Sequence, residues 1–245
     1  MAGNGFYLVD KVYEMQERLE WLQGAASTLY VKGALYKMSA GLPVVLSGQT
    51  DQPFGLCQEM DPQPPNSASM GNVNGFYSSP LRPATDMMTT TAGEKIGFVP
   101  IAAALLLQND ITPLLNRVAA GSNSTASQAI CAYGGSTGDF TGGIVYLPEQ
   151  DWQGVITSSA VSGGNVTLVF APAAPRACTT GDTVSAVPLA VGSLIKFASS
   201  SPQLGLSNAV ADVGAGNALV RKIQGNFGSP KGSLFRITVQ MKSPI

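Results

Sequence analysis

Histidine is absent from all 245 residues. That removes the commonest general base, the usual zinc ligand and the middle member of Ser-His-Asp and Cys-His sites. Chemistry would have to rest on Lys, Asp, Glu or Tyr, so the composition points away from an enzyme. Charge is scarce too. Asp, Glu, Lys and Arg make up 12 % of the chain, about half the roughly 25 % of an ordinary soluble domain. The exposed polar surface must come from Ser, Thr, Asn, Gln and Gly, which protects poorly against association by charge repulsion. A net charge of −1 leaves no basic footprint for nucleic acid.

Cysteine is sparse and odd in number. Cys57, Cys131 and Cys178 are far apart and form no CxxC pair, and three cannot all bridge within one chain. They read as buried free thiols. Long apolar runs are missing as well. The longest, residues 99–107, holds Pro100 and ends at Gln108-Asn109-Asp110, well short of the roughly 20 residues of a membrane span. Asp10, Lys11, Glu14, Glu17, Arg18 and Glu20 interrupt the first thirty residues and argue against a signal peptide. The expectation is a soluble protein made in a cytoplasm, using neither membrane nor nucleic acid.

Motifs for phosphate or metal chemistry do not occur. There is no GxxxxGK[ST] loop, Gly214-Ala215-Gly216 lacks the third glycine of a dinucleotide fingerprint, and HExxH cannot exist without histidine. No catalytic, cofactor-binding or metal site is assigned, and no cofactor is expected. Glu59, Asp61, Asp139, Glu149, Asp151 and Asp182 are scattered. Glu149 with Asp151 is the one pair to weigh as glycosidase carboxylates, against the plainer reading of loop carboxylates solvating turns. Trp21 and Trp152 are candidate interface anchors, since Trp is enriched at hot spots; a half-buried core role is the alternative for each.

What is present divides by texture. Leu8, Val12, Met15, Leu19, Leu22 and Ala26 are spaced four, three, four, three, four, which predicts a helix over residues 8–26 with one apolar stripe. The helix would dock on a body or self-associate through an a/d seam. Residues 61–92 contain Pro62, Pro64, Pro65, Pro80 and Pro83 and read as a long extended arm of the functional kind. Residues 96–119 are compatible with strand or helix. After a polar stretch at 121–127, strands are predicted over 143–147, 155–156, 166–170, 183–187, 193–197 and 234–239, rich in β-branched and aromatic residues. Turns are predicted at Gln153-Gly154, Gly163-Gly164-Asn165 and Thr180-Gly181-Asp182. Together these give a mainly β chain of small barrel or sandwich modules in three regions. Residues 1–30 form a helical arm, 31–125 a first β region with the 61–92 arm, and 126–245 a C-terminal β-sandwich or barrel.

One pattern occurs three times. Gly33-Ala34-Leu35-Tyr36-Lys37-Met38-Ser39 is repeated in form by Gly192-Ser193-Leu194-Ile195-Lys196-Phe197-Ala198 and by Gly232-Ser233-Leu234-Phe235-Arg236-Ile237-Thr238. Each is a turn glycine feeding a strand, with leucine and cation on one face and two large apolar residues on the other. The cation's stem can lie on apolar surface while its charge reaches solvent or a partner. Either a β protein reuses a common strand type, or the two halves carry related β units.

The run from Lys32 to Gly41, followed by a strand and Pro53-Phe54-Gly55-Leu56-Cys57, resembles the opening of capsid decoration (cement) proteins of tailed bacteriophages. Gly181-Asp182-Thr183-Val184 and Gly192-Ser193-Leu194-Ile195-Lys196 resemble the same kind of element near the C-terminus. The resemblance covers about a third of the chain. It implies a tulip-like β-barrel module that clamps neighbouring major capsid protein subunits on the virion surface, as a trimer or dimer. The N-terminal helix and the proline-rich arm depart from that pattern. As partner-binding residues the expectation names Leu8, Val12, Met15, Leu19, Trp21 and Leu22 of the helix and Pro62, Pro64, Pro65, Phe76 and Tyr77 of the arm. The competing expectation is a receptor- or glycan-binding module of a tail fibre or adhesin, with Trp152 beside Asp151 as its local candidate.

Overall fold

Short apolar runs broken by Gly, Pro, Asn and Ser form strands almost throughout. The structure is a computed structural model that describes residues 5–8, 20–25, 28–60, 87–90, 95–101, 105–120 and 125–242. Among these residues there is no α-helix, and the chain is mainly β. It divides into two units. The first is Met1–Asn109 with Phe197–Leu206 and Gln240–Ile245; the second is Asp110–Lys196 with Ser207–Val239.

The strands of the first stretch are β1 (Tyr7–Leu8), β2 (Glu20–Gln23), β3 (Thr28–Val31), β4 (Leu35–Ser39), β5 (Leu42–Val45), β6 (Gly55–Met60), β7 (Met87–Thr90), β8 (Lys95–Pro100) and β9 (Leu106–Ile111). Five of them form an antiparallel sheet in the order β2-β8-β6-β4-β5, and its two outermost strands come alongside each other. β3 pairs with β7, and Tyr7 and Leu8 face Gln108 and Leu107 of β9. The core is an aromatic cluster. Tyr30 and Tyr36 stack at 5.1 Å, and Phe98 meets Tyr36 at 5.4 Å and Phe54 at 5.3 Å. Buried tyrosines need partners for their hydroxyls. The Tyr30 hydroxyl donates to Pro43 O at 2.9 Å, and the Tyr36 hydroxyl accepts from the Val31 N–H at 2.9 Å. The fully buried Asn109 is satisfied on both sides of its amide. Its Nδ2 donates to Gly5 O and Leu204 O, and its Oδ1 accepts from the Leu206 N–H.

The second unit continues with β10 (Leu115–Val118), β11 (Gln128–Ala132), β12 (Ile144–Leu147), β13 (Trp152–Ser162), β14 (Asn165–Ala171), β15 (Thr183–Val187), β16 (Leu194–Ile195), β17 (Ala218–Phe227) and β18 (Leu234–Met241). Six antiparallel strands run in the order β10-β15-β12-β13-β14-β11. The ends of this sheet meet where Ala119 bridges Cys131 and the Ala120 N–H donates to Ile130 O at 2.8 Å. The result is a nearly closed barrel. Its interior is aliphatic, with Leu115, Val145, Leu147, Ile156, Val166, Leu168 and Val184 around Phe140 and Phe170. In a second sheet of this unit β18 lies beside β17, with β16 beyond β17.

Three sequence expectations are corrected. The helix over 8–26 is not formed where the chain is described: Leu8 lies in β1, and Trp21 and Leu22 lie in β2, paired with Gly97 and Ile96. Ladder pairing with β8 and the turning of Leu22 toward the aromatic cluster outweigh the local helical spacing, as tertiary context often does. The arm over 61–92 does not extend to its end, because Met87–Thr90 pairs with Thr28–Val31. That stretch has no proline and carries strand-favouring threonines. Gln153-Gly154 is not a turn but lies inside β13. There the Trp152 ring covers the glycine so closely that a Cβ would collide with it. The reversal falls instead at the 3-10 turn Pro148–Gln150 and at Asp151, whose φ is +45°. The stretch 96–119, compatible with either structure, contains β8, β9 and β10.

Candidate interaction surface

The three glycine-led strands share a geometry that begins at the turn. Gly33, Gly192 and Gly232 have φ of +81°, +90° and +79°, a region that side-chain-bearing residues rarely adopt. The apolar residues before and after the cation are buried in the second and third strands, as Ile195 with Phe197 and Phe235 with Ile237. In the first strand Tyr36 is buried but Met38 is 41 % exposed.

Each cation is held by an aspartate outside its own strand, 14, 16 and 126 positions away. Lys37 Nζ lies 2.8 Å from Asp51, Lys196 Nζ 3.1 Å from Asp212, and Arg236 Nε 2.8 Å from Asp110. The first two clamps also share a serine. The Ser47 Oγ donates to Asp51 Oδ2 at 3.2 Å, and the Ser207 Oγ donates to Asp212 Oδ2 at 2.6 Å. Burial pushes the Asp51 carboxyl up, but Lys37 and the N–H groups of Ser47 and Gly48 outweigh it and bring it down to about 2. The sequence shows the cations but not their partners. The signal for two of them is the parallel Leu46-Ser47…Asp51 and Leu206-Ser207…Asp212, noticed only once the contacts are seen.

The residues expected to bind a partner fall into three groups. Trp21 points outward from β2 and is 38 % exposed. Leu22 turns the other way and packs on the Tyr30–Tyr36–Phe98 cluster, so it belongs to the core. Leu8 is half-buried in β1. Val12, Met15, Leu19, Pro62, Pro64, Pro65, Phe76 and Tyr77 lie outside the described residues. Met38 on β4 and Val45 on β5, each 41 % exposed, were not singled out from sequence. Neither is marked by local pattern, because each is an apolar residue in a short strand of mixed burial.

The Trp152–Asp151 corner is occupied by internal contacts. The Trp152 ring packs on Phe170 at 5.1 Å. Asp151 accepts from the Tyr146 hydroxyl at 2.6 Å and lies 3.6 Å from Lys231 Nζ. Asp182 is gripped at both oxygens by Arg176, at 2.6 and 2.9 Å, and also accepts the Thr179 N–H. Arg176 first and the Thr179 N–H after it lower its carboxyl to about 2 against the effect of burial. The thiols of Cys57, Cys131 and Cys178 are free and buried, and burial pushes them up to about 12, 12 and 11. Among the described residues no three carboxylates or thiols are grouped to hold a metal ion, and no helix is long and apolar enough to cross a membrane. Comparison with protein-family models, with curated proteins and with solved structures finds no match for the chain.

Proposed function

We propose that the chain is a structural virion protein that binds the outside of an assembled phage capsid and stabilises it by clamping neighbouring major capsid protein subunits. The observation that carries this reading is the glycine-led cationic strand. On it the resemblance to cement proteins rests, and it recurs with the same positive-φ glycine and aspartate-held cation at Lys37, Lys196 and Arg236. Low charge and missing histidine suit a molecule that works by contact. Binding only the assembled lattice would stabilise it by mass action, to an extent set by the free concentration over Kd. A dimer or trimer would multiply such contacts by raising effective concentration. Trp21, Met38 and Val45 offer apolar surface for the shell. Glycan recognition draws no support from Trp152, whose ring is committed to Phe170.

The test is co-sedimentation of the purified chain with shells assembled from the cognate major capsid protein that this reading requires. Occupancy should saturate, and the shells should melt at a higher temperature when decorated. Trp21→Ala should weaken binding about 30-fold, the scale of a hot-spot tryptophan, while the far-ultraviolet spectrum stays unchanged. A chain that fails to sediment with the shells at saturating concentration would defeat the proposal.

A further inference from the structure

The barrel of the second unit is closed by a seam that opens partway along. After the Ala119–Cys131 bridge, no backbone hydrogen bond joins residues 115–117 to residues 133–134; the Tyr133 N–H goes instead to Gly164 O at 2.9 Å. The opening is a cleft of about 410 Å³. One wall is Leu114, Leu115 and Arg117, and the other is Ala132, Tyr133 and Gly134, with Gly164 at the end. Main-chain groups alternate in direction along an antiparallel strand. Since the Ala119 N–H goes to Asp182 O, toward β15, the N–H and C=O of Asn116 point the other way, into the opening.

Side chains alternate as well. Arg117 shares its parity with the buried Leu115 and Ala119 but is itself exposed, so a cation stands at the rim of the opening it lines. Arg176 and Arg236 each grip an aspartate. Arg117 reaches only the carbonyl of its neighbour Asn116, at 3.3 Å, and among the described residues it pairs with no carboxylate. The other wall is firm. The Tyr133 ring packs on Phe140 at 5.0 Å and its hydroxyl donates to Asp139 Oδ2 at 2.8 Å. Gly134 and Gly164 leave open space where side chains would stand.

We propose that this opening receives a short extended segment of a partner protein that adds as a strand along residues 115–117 and sets an Asp or Glu carboxylate on Arg117. Strand addition to an exposed sheet edge draws affinity from main-chain hydrogen bonds and specificity from alternate side chains. A guanidinium–carboxylate pair supplies the stronger, charge-assisted contact. A charge on an edge strand also protects it from indiscriminate pairing, and here it selects an acidic strand over a neutral one. The assembly reading above supplies the source of the segment, a shell subunit; the site itself stands on the seam.

The test uses the full-length chain labelled with 15N and a synthetic tetrapeptide, acetyl-Thr-Glu-Val-Thr-amide, titrated to about 1 mM, the range of weak peptide affinity. Amide shifts should concentrate at Asn116, Gly134 and Gly164, and affinity should fall as salt is raised. Arg117→Gln, and separately the peptide with Gln for Glu, should each weaken binding about tenfold. A peptide with proline in place of the valine, lacking that main-chain donor, should bind worse still. No shift at these amides, shifts spread over the surface, or equal affinity in Arg117→Gln would overturn the inference. Shell occupancy is read separately. Peptide binding without shell binding leaves the seam site standing and removes the assembly reading; shell binding unaffected by Arg117→Gln, with no peptide bound, does the reverse.

Discussion

The two units solve the same β problem with different materials. The first builds its centre from rings: Tyr30, Tyr36, Phe54 and Phe98 meet within 6.2 Å, and the tyrosine hydroxyls tie neighbouring segments through Pro43 O and the Val31 N–H. Most of its strands have four to six residues, so ladders alone offer few bonds and the side chains must supply the rest. The second has strands of 11, 7, 10 and 8 residues in β13, β14, β17 and β18, and an aliphatic barrel interior. In this unit Asp182, Asp212 and Asp110 each hold a cation. The first unit thus ties its short strands through buried tyrosine hydroxyls as well as the Lys37–Asp51 clamp, whereas the second relies on longer ladders around an aliphatic interior.

The sharpest way to break this comparison is to remove the ring at the centre of the first unit. Phe98 is fully buried and touches three other aromatic rings. Phe98→Ala should cost about 3–5 kcal/mol, the transfer loss plus a cavity that stiff neighbouring rings cannot fill. Urea unfolding gives the number. Hydrogen exchange should place the lost protection in β4, β6 and β8 rather than in β13 and β14. A loss under about 1 kcal/mol, the scale of a surface change, would mean that the rings are not what holds that unit.

This division was only partly legible in the sequence. Residues 183–187 read as a strand and form β15, and Gly163-Gly164 read as a turn and both have positive φ between β13 and β14. Those signals are local: β-branched residues bounded by residues that favour reversal. What failed depends on distant partners. Leu22 and Trp21 fit a helical stripe until β8 pairs with them, and Gly154 looks like a turn until the Trp152 ring lies over it. The same holds at the surface. Lys37 reads from sequence as a cation reaching solvent or a partner, and nothing in the strand pattern names Asp51. Arg117 drew no notice because its place at the rim means something only once the barrel closes at Ala119 and Cys131.

Acid offers a second comparison, smaller in effect. Asp51 in the first unit and Asp182 in the second both have carboxyls lowered to about 2 in the folded chain, from 3.8. Their stabilisation is therefore fully present above pH 4 and is lost as pH falls through about 2. The Asp51 share, discounted for solvent around the partly exposed Lys37, is about 1 kcal/mol. Denaturation midpoints followed from pH 5 to pH 2 should fall, and the fall should be shallower in Asp51→Asn and in Asp182→Asn. An unchanged slope in both variants would show that neither clamp is felt in the unfolding equilibrium.

The smallest effect separates a clamp from a mere surface pair. Lys37 and Asp51 are 29 % and 24 % exposed and 2.8 Å apart, with two backbone N–H groups and a serine on the same carboxylate oxygen. Lys231 and Asp151 are 60 % and 64 % exposed and 3.6 Å apart. Opposite charges in water gain little from each other and lose side-chain freedom to stay together, whereas a carboxylate already fixed by backbone donors gives up no further freedom when the lysine arrives. A double-mutant cycle removes contributions unrelated to the pair. The Lys37–Asp51 cycle should return a coupling of about 1 kcal/mol, and the Lys231–Asp151 cycle should return none above error. Equal couplings would mean that the shared backbone donors add nothing, and the aspartate-held strand would then be an ornament of the fold instead of one of its fastenings.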